Sequence, residues 1–267
     1  VVIGSLGYDA DPWGGMQPIL YLSNEDGSYT DSTDLFPQEK MFMHSLSVGD
    51  VNNDGYDDIY FGNIVRYSLP TLLINEGGES FKKAKLPEDI FDFTFYTTPE
   101  KPISEGGIRT HNNTYLSSHL VDIDNDNILE LVLPFFSQYN DNGGEHKFET
   151  SFILDQDGQG NFNSSPSILL PKPLYGVNPA NEGEQGAIVL DVSSGDINGD
   201  GLLDLLMNET SREPYYAGRK FQILIQQADG GFKDETSSRL IGFINEGDTI
   251  KSVTNAQLID IDKDGDL

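Results

Sequence analysis

The sequence contains no cysteine and few basic residues. Its 267 residues include 16 Lys or Arg against 44 Asp or Glu, and the formal net charge is −28. The lack of cysteine excludes a disulfide framework. The acidic excess predicts repulsion of nucleic acid and of anionic membranes, so we expect neither as a partner. No apolar run is long enough to cross a bilayer, so we expect no membrane insertion.

Histidine is also scarce. The four histidines are dispersed, and the sequence has no nucleophile elbow, phosphate loop or zinc-type histidine cluster. No catalytic residue is therefore assigned, and a binding protein is favoured over an enzyme. One alternative stays open, because Arg109 with His111 can serve polysaccharide cleavage by abstracting a proton beside a uronate.

The most informative feature that is present is an oxygen-rich loop that occurs four times. In residues 50–58, side-chain oxygens stand at positions 1, 3, 5 and 9, and Gly55 stands at position 6, where the chain must turn sharply. Ca²⁺ is a hard cation that takes six to eight oxygens, including backbone carbonyls such as the one at position 7. Ordinary turns do not require carboxylates at the same offsets four times, so the repetition predicts structural calcium sites. The predicted ligands are Asp50, Asn52, Asp54, Tyr56 and Asp58; Asp122, Asp124, Asp126, Ile128 and Glu130; Asp196, Asn198, Asp200, Leu202 and Asp204; and Asp260, Asp262, Asp264 and Asp266.

Two of these loops depart from the pattern. The loop at 122–130 has Asn127 in place of Gly and Glu130 in place of Asp, and Asn adopts the left-handed conformation at some cost. The fourth loop stops at Leu267, one residue before position 9, and the chain opens on a strand-like segment at Val1. We therefore expect a fragment of a longer protein.

The residues that follow the loops predict strands. An EF-hand loop carries Glu at position 12, whereas that position holds Phe61, Leu133 and Met207 here. Short apolar runs ended by breakers follow each complete loop, as expected for buried strands. In one unit the predicted strands are 44–49, 58–63, 71–75 and 80–85, with a Gly-bearing hairpin between the last two.

The spacing of the loops predicts an all-β architecture. First ligands stand at residues 50, 122, 196 and 260, so the pattern repeats every 64 to 74 residues. Such units predict a β-propeller of four-stranded antiparallel blades, about seven if complete, with the calcium loop joining strands A and B of each blade. The predicted parts of this single incomplete propeller are strands B to D of one blade at 1–31, complete blades at 44–85, 116–164 and 189–235, and the start of another at 256–267.

At this point the residues resemble a known family. The run from Gly49 to Ile59, Gly-Asp-Val-Asn-Asn-Asp-Gly-Tyr-Asp-Asp-Ile, and the run Leu-Leu-Ile-Asn-Glu-Gly-Gly-Glu-Ser-Phe that ends at Phe81 are similar to the FG-GAP/VCBS repeat of integrin-α-type β-propellers. The resemblance implies a propeller and the calcium ligands given above. It does not select a function, because the family includes adhesion receptors, lectins, polysaccharide-degrading enzymes and bacterial surface proteins.

Blade topology suggests where a ligand binds. The A–B loops and C–D turns share the face that holds calcium, whereas the B–C and D–A connections share the other face. Aromatic and Arg side chains on those connections can stack on a sugar or grip a protein. The candidate ligand-binding residues are Trp13, Arg66, Tyr67, Tyr139, Arg212, Tyr215 and Tyr216.

Three functions follow from these observations. We expect a calcium-stabilised, secreted or cell-surface recognition or adhesion module that binds a carbohydrate or a protein. The first alternative is the propeller domain of a polysaccharide-degrading lyase or hydrolase. The second is a structural unit of an extracellular assembly that associates through open sheet edges.

Overall fold

The computed structural model describes residues 1–4, 15–63, 70–87, 90, 117–137, 149–177, 183–214, 216–241, 255–263 and 267. Within these residues the chain forms four antiparallel sheets whose strands follow one another in chain order. The all-β, four-stranded antiparallel architecture predicted from the loop spacing is therefore confirmed for three of the sheets, and the first sheet has three strands.

The strand bounds are as follows. The first sheet contains β1 Val2–Ile3, β2 Ile19–Ser23 and β3 Tyr29–Asp31. The second contains β4 Met43–Gly49, β5 Asp58–Asn63, β6 Thr71–Asn75 and β7 Phe81–Lys83. The third contains β8 His119–Val121, β9 Glu130–Leu133, β10 Phe152–Leu154 and β11 Ile168–Leu169. The fourth contains β12 Ala187–Gly195, β13 Asp204–Ser211, β14 Lys220–Gln226 and β15 Phe232–Asp234. A 3₁₀ turn at Thr33–Leu35 and a short helix, α1, at Thr236–Arg239 follow the last strands of the first and fourth sheets.

The third sheet differs from the prediction at its outer edge. Its last strand, β11, lies beyond residue 164, where the sequence-based unit ended. Phe162 closes the hairpin in a bridge with Gln156, and the Asn163 N–H donates to the Asp155 carbonyl at 2.8 Å, but residues 164–166 then leave the ladder. Pro166 lacks the N–H that a paired strand needs, and pairing resumes where the Ser167 N–H donates to the Ile153 carbonyl at 2.9 Å.

The sheets pack face to face because their strands bury both sides. In β5, Ile59 and Phe61 join an apolar cluster with the first sheet, whereas Tyr60 between them joins a cluster with the third. In β9, Leu131 faces the second sheet and Val132 faces the fourth. This period of two places one apolar core between each pair of successive sheets.

The first strand of each four-stranded sheet also touches its counterparts. Strand β8 contacts both β4 and β12. Hydroxyl groups link these strands: Ser47 Oγ donates to the Ser118 carbonyl at 2.8 Å, and His119 Nε2 lies 2.9 Å from Ser194 Oγ. These three first strands, β4, β8 and β12, are here called the inner strands. They line one side of the stack, and each ends at an oxygen-rich loop.

Truncation of a side chain between two sheets should destabilise the chain far more than truncation at an exposed position. Leu131 is fully buried between the second and third sheets, so Leu131→Ala should lower the free energy of unfolding by about 2–5 kcal/mol. Urea denaturation monitored by circular dichroism measures the change. Leu22, which is 44% exposed, supplies the control Leu22→Ala, and equal denaturation midpoints for the two variants would contradict the packing described above.

Candidate metal centres

The repeated loops share one backbone conformation. Positions 4 and 6 are left-handed in the first loop, with φ of +56° at Asn53 and +89° at Gly55. The same two positions are left-handed at Asn125, Asn127, Gly199 and Gly201. Sequence reasoning identified only position 6. Position 4 carried a readable signal as well, because Asn and Gly are the residues that adopt this conformation most easily.

The carboxylate at position 1 organises the inside of each loop. Asp50 accepts the N–H of Asp54 at 3.0 Å and of Gly55 at 2.8 Å, one on each oxygen. Asp122 and Asp196 accept the equivalent N–H groups in their own loops, from Asp126, Asn127, Asp200 and Gly201. These bonds turn the first carboxylate toward the centre of the loop.

The carboxylate at position 9 ties the loop to the sheet. Asp58 is fully buried; one of its oxygens accepts the Val51 N–H at 3.0 Å, and the other accepts the Asn75 N–H of β6 at 2.7 Å. The fourth sheet repeats this arrangement around Asp204, which accepts the N–H groups of Ile197 and Gln226 at 2.9 Å each. The last predicted ligand thus joins the start of the loop to a neighbouring strand.

The loop at 122–130 brings its acidic groups closest together. Carboxylate oxygens of Asp122, Asp124 and Glu130 all lie within 4.8 Å of one another. Because Ca²⁺ binds oxygen at about 2.3–2.6 Å, opposing ligands lie up to about 5 Å apart, so the three groups fit one calcium ion. The departures at Asn127 and Glu130 therefore do not prevent convergence. Asn127 takes the left-handed conformation, and Glu130 still accepts the Ile123 N–H at 2.8 Å.

The electrostatics of this cluster favour a cation. The pKa of Glu130 is raised to about 8, chiefly by burial and to a lesser extent by the nearby carboxylates of Asp124, Asp126 and Asp155. Burial likewise raises the pKa of Asp58 to about 6 and shifts the pKa of Asp204 upward. A divalent cation at these positions would stabilise the ionised carboxylates and reverse the shifts.

The loops at 50–58 and 196–204 carry an amide at position 3. Asn52 Nδ2 donates to Asp54 at 2.9 Å, and Asn198 Nδ2 donates to Asp200 at the same distance. The fourth loop also begins with a carboxylate that accepts a backbone N–H of its own loop, since Asp260 accepts the Lys263 N–H at 2.6 Å. Its position 4, Lys263, is left-handed with a φ of +62°. Asp262 is exposed, whereas Asp264 and Asp266 lie outside the described residues.

A glutamine from the following sheet is bonded to each of two loops. Gln156 donates through Nε2 to the Val51 carbonyl at 2.7 Å, and its Oε1 accepts the N–H groups of Gly158 and Gly160. Gln226 donates in the same way to the Ile123 carbonyl at 3.2 Å. Val51 and Ile123 both occupy position 2 of their loops. Sequence reasoning missed this inter-sheet contact.

The predicted ligand-binding residues are only partly described. Arg212 and Tyr216 lie in the connection between β13 and β14; the Arg212 N–H donates to the Gly186 carbonyl at 2.7 Å, and Tyr216 is 36% exposed. Trp13, Arg66, Tyr67, Tyr139 and Tyr215 lie outside the described residues, as do Arg109 and His111. Their convergence on one face stays a prediction.

Comparison with known proteins identifies one repeat. Residues 42–63 match the FG-GAP repeat, and this segment spans β4, the first loop and β5. The resemblance drawn from the sequence is therefore confirmed: the chain contains an FG-GAP repeat. No curated protein matches the chain. Among the described residues, no helix combines the length and apolar character needed to cross a membrane.

Loss of the inter-sheet glutamine should destabilise the chain. Gln156→Ala removes the donor to Val51 and the acceptor of two buried N–H groups, so the free energy of unfolding should fall by about 1–3 kcal/mol. Thermal unfolding measures the effect. The control is Gln159→Ala in the same hairpin, because within the part of the chain that the structure describes the Gln159 side chain bonds only to the adjacent Gly158 carbonyl. A Gln156 variant as stable as this control would show that the contact does not hold the loop.

The stability of the metal-free protein should fall as pH rises through the neutral range. Because the pKa of Glu130 is raised from 4.5 to about 8 on folding, the folded state retains a proton that the unfolded chain has already released. Stability is therefore lost as pH rises from about 5 to about 8. Denaturation in excess chelator across this range measures the slope. Glu130→Gln, which cannot ionise, should reduce the slope but leave part of it, because burial also raises the pKa of Glu209 to about 8. An unchanged slope would contradict the assignment.

Proposed function

We propose that this chain is part of a calcium-stabilised β-propeller that acts outside the cell as a recognition or adhesion module. The observation that carries the proposal is the repetition of one loop geometry at the ends of β4, β8 and β12. In each loop, the first carboxylate accepts the N–H groups of positions 5 and 6, and the last carboxylate accepts the N–H group of position 2.

The packing of the sheets supports the propeller. Successive sheets stack face to face in chain order, and their first strands neighbour one another through Ser47, Ser118, His119 and Ser194. Blades arranged around an axis have this order, with strand A innermost.

The acidic composition supports a structural role for calcium. Asp122, Asp124 and Glu130 would hold the ion in the second loop, and the corresponding ligands of the other loops would do so there. Bound calcium supplies positive charge that offsets the repulsion between converging carboxylates. Three ions of charge 2+ would reduce the net charge from −28 to −22. The position 9 carboxylates are already bonded to backbone N–H groups, which favours a structural metal over a catalytic one.

The proposed recognition role depends on which face of the propeller the calcium loops leave open. Calcium loops occupy one face of the proposed propeller, so a ligand binds the other, where Arg212 and Tyr216 lie. FG-GAP repeats are typical of extracellular proteins, and extracellular fluid supplies the calcium that weak loop sites need. The ligand classes that fit aromatic and polar side chains on converging connections are carbohydrate and protein.

Calcium should raise the thermal stability of the chain. At a free concentration about 100 times the dissociation constant, each occupied site adds about 2.7 kcal/mol to the free energy of unfolding. Asp124→Asn removes one carboxylate from the 122–130 cluster, so isothermal titration calorimetry should show one fewer or one weakened calcium site.

The matched control is Asp157→Asn. Asp157 lies in a nearby hairpin and accepts turn N–H groups from Gln159 and Asn161 without belonging to a loop. Its substitution should leave calcium binding unchanged. A melting temperature that does not change between excess calcium and excess chelator would refute the structural role of the metal.

A further inference from the structure

A cavity of about 550 Å³ lies where the inner strands begin, at the opposite end of those strands from the metal loops. Its lining includes Met43, His44 and Ser45 at the start of β4, Ser117 and Ser118 before β8, and Leu190 and Asp191 in β12. Tyr216 forms part of the wall. The volume falls in the range of small-molecule binding sites, about 300–1,000 Å³.

Four of the lining side chains occupy one equivalent position in the repeat. Ser45, Ser117, Asp191 and Asn255 each precede the first Asp of a loop by the same interval, at 50, 122, 196 and 260. All four carry hydrogen-bonding groups. The repeat therefore places a partial ring of polar side chains, here called the polar ring, at one level of the cavity.

Two β-bulges shape the cavity beside the polar ring. The ladder between β4 and β5 shifts between Met43 and Ser45, and the ladder between β12 and β13 shifts between Val189 and Asp191. The extra residues, His44 and Leu190, are equivalent in the repeat, and both line the cavity. Bulges redirect side chains and are frequent beside binding sites, so the same irregularity at both places is consistent with a built site.

The charges of the described residues that line the cavity disfavour an anionic ligand. Neither Lys nor Arg occurs among the described residues that line it. Burial lowers the pKa of His44 to about 4, so its imidazole is neutral at pH 7. The Phe42 backbone acts in the opposite direction, but burial outweighs it. Asp191 accepts the Ala256 N–H at 3.1 Å and adds negative charge.

We infer that the cavity binds a neutral saccharide through the polar ring, with Asp191 accepting sugar hydroxyls and Tyr216 lying against the sugar ring. This inference deepens the proposed recognition function and rests on it. Serine hydroxyls, an amide, a neutral imidazole and one carboxylate match hydroxyl groups that both donate and accept. Tyr216 is an exposed aromatic residue held at a φ of +55°, an unusual backbone conformation for a bulky side chain.

A cationic side chain of a protein partner is the competing ligand. Among the described residues that line the cavity, Asp191 is the one that carries a carboxylate, and it is already bonded to Ala256. The other three members of the polar ring are two neutral hydroxyls and an amide, which suit a polyol better than a guanidinium.

The test is a titration of the protein in excess calcium with neutral methyl glycosides of glucose, galactose, mannose and fucose. Saturation-transfer NMR detects binding, and calorimetry measures affinity. Methyl glucuronide tests the exclusion of anions, and Nα-acetyl-arginine amide represents the cationic alternative. At least one neutral glycoside should bind, and Asp191→Asn should weaken it about tenfold or more, as expected for loss of a charged hydrogen-bond acceptor.

Two further variants complete the experiment. Asp229→Asn is the matched control, because Asp229 also accepts one backbone N–H, from Gly231, and lies in a hairpin on the metal face. It should leave glycoside affinity unchanged. Ser117→Ala should also weaken glycoside binding, and it tests the polar ring if Asp191→Asn does not fold.

Three outcomes would overturn the inference: no neutral glycoside binds, the ring substitutions leave affinity unchanged, or only the arginine derivative binds. The calcium-dependent melting temperature is measured in parallel. Its persistence alongside absent glycoside binding would remove the saccharide site and leave the calcium-stabilised fold intact.

Discussion

The structure depends on a buried carboxylate at the end of each of the three complete oxygen-rich loops, Asp58, Glu130 and Asp204. Asp58 is enclosed by protein, and its two oxygens receive N–H groups from the loop and from β6. These bonds fix where β5 starts relative to β4 and β6, but they leave negative charge in a poorly solvated place. The raised pKa values of Asp58 and Glu130 express that cost. A cation in the loop would offset that cost. Strand register, burial of the carboxylate and metal binding therefore depend on one another.

Much of the fold was readable because its signals are local. Alternating apolar residues, Gly-bearing hairpins and repeated loops placed the second sheet within a few residues of its observed strands. The outer strand of the third sheet lies beyond residue 164, where the predicted unit ends, because Phe162 follows its hairpin as Phe81 and Phe232 follow theirs but does not begin a strand. Residues 164–166 interrupt that pairing, and a local pattern cannot show that the ladder resumes after an interruption.

The candidate sites also differ in how far a local sequence pattern can predict them. Loop ligands follow from fixed offsets within nine residues, and those offsets predicted which carboxylates share a loop. The contact between Gln156 and Val51 joins residues 105 positions apart, so no local pattern contains it. The polar ring lies between these cases. Its members stand at one interval before each loop, but only the arrangement of the inner strands shows that Ser45, Ser117 and Asp191 meet at a common cavity.

The glutamine contacts also follow one order along the chain, because each loop is bonded by a residue that comes later in the sequence. Val51 is bonded by a residue 105 positions later in the chain, and Ile123 by a residue 103 positions later. A ribosome therefore releases each of these loops well before the residue that secures it. Until the next sheet has emerged, the loop is completed neither by its neighbour's side chain nor by the apolar face that covers Val51. The second and third sheets are therefore each completed by a glutamine of the sheet that is made after them.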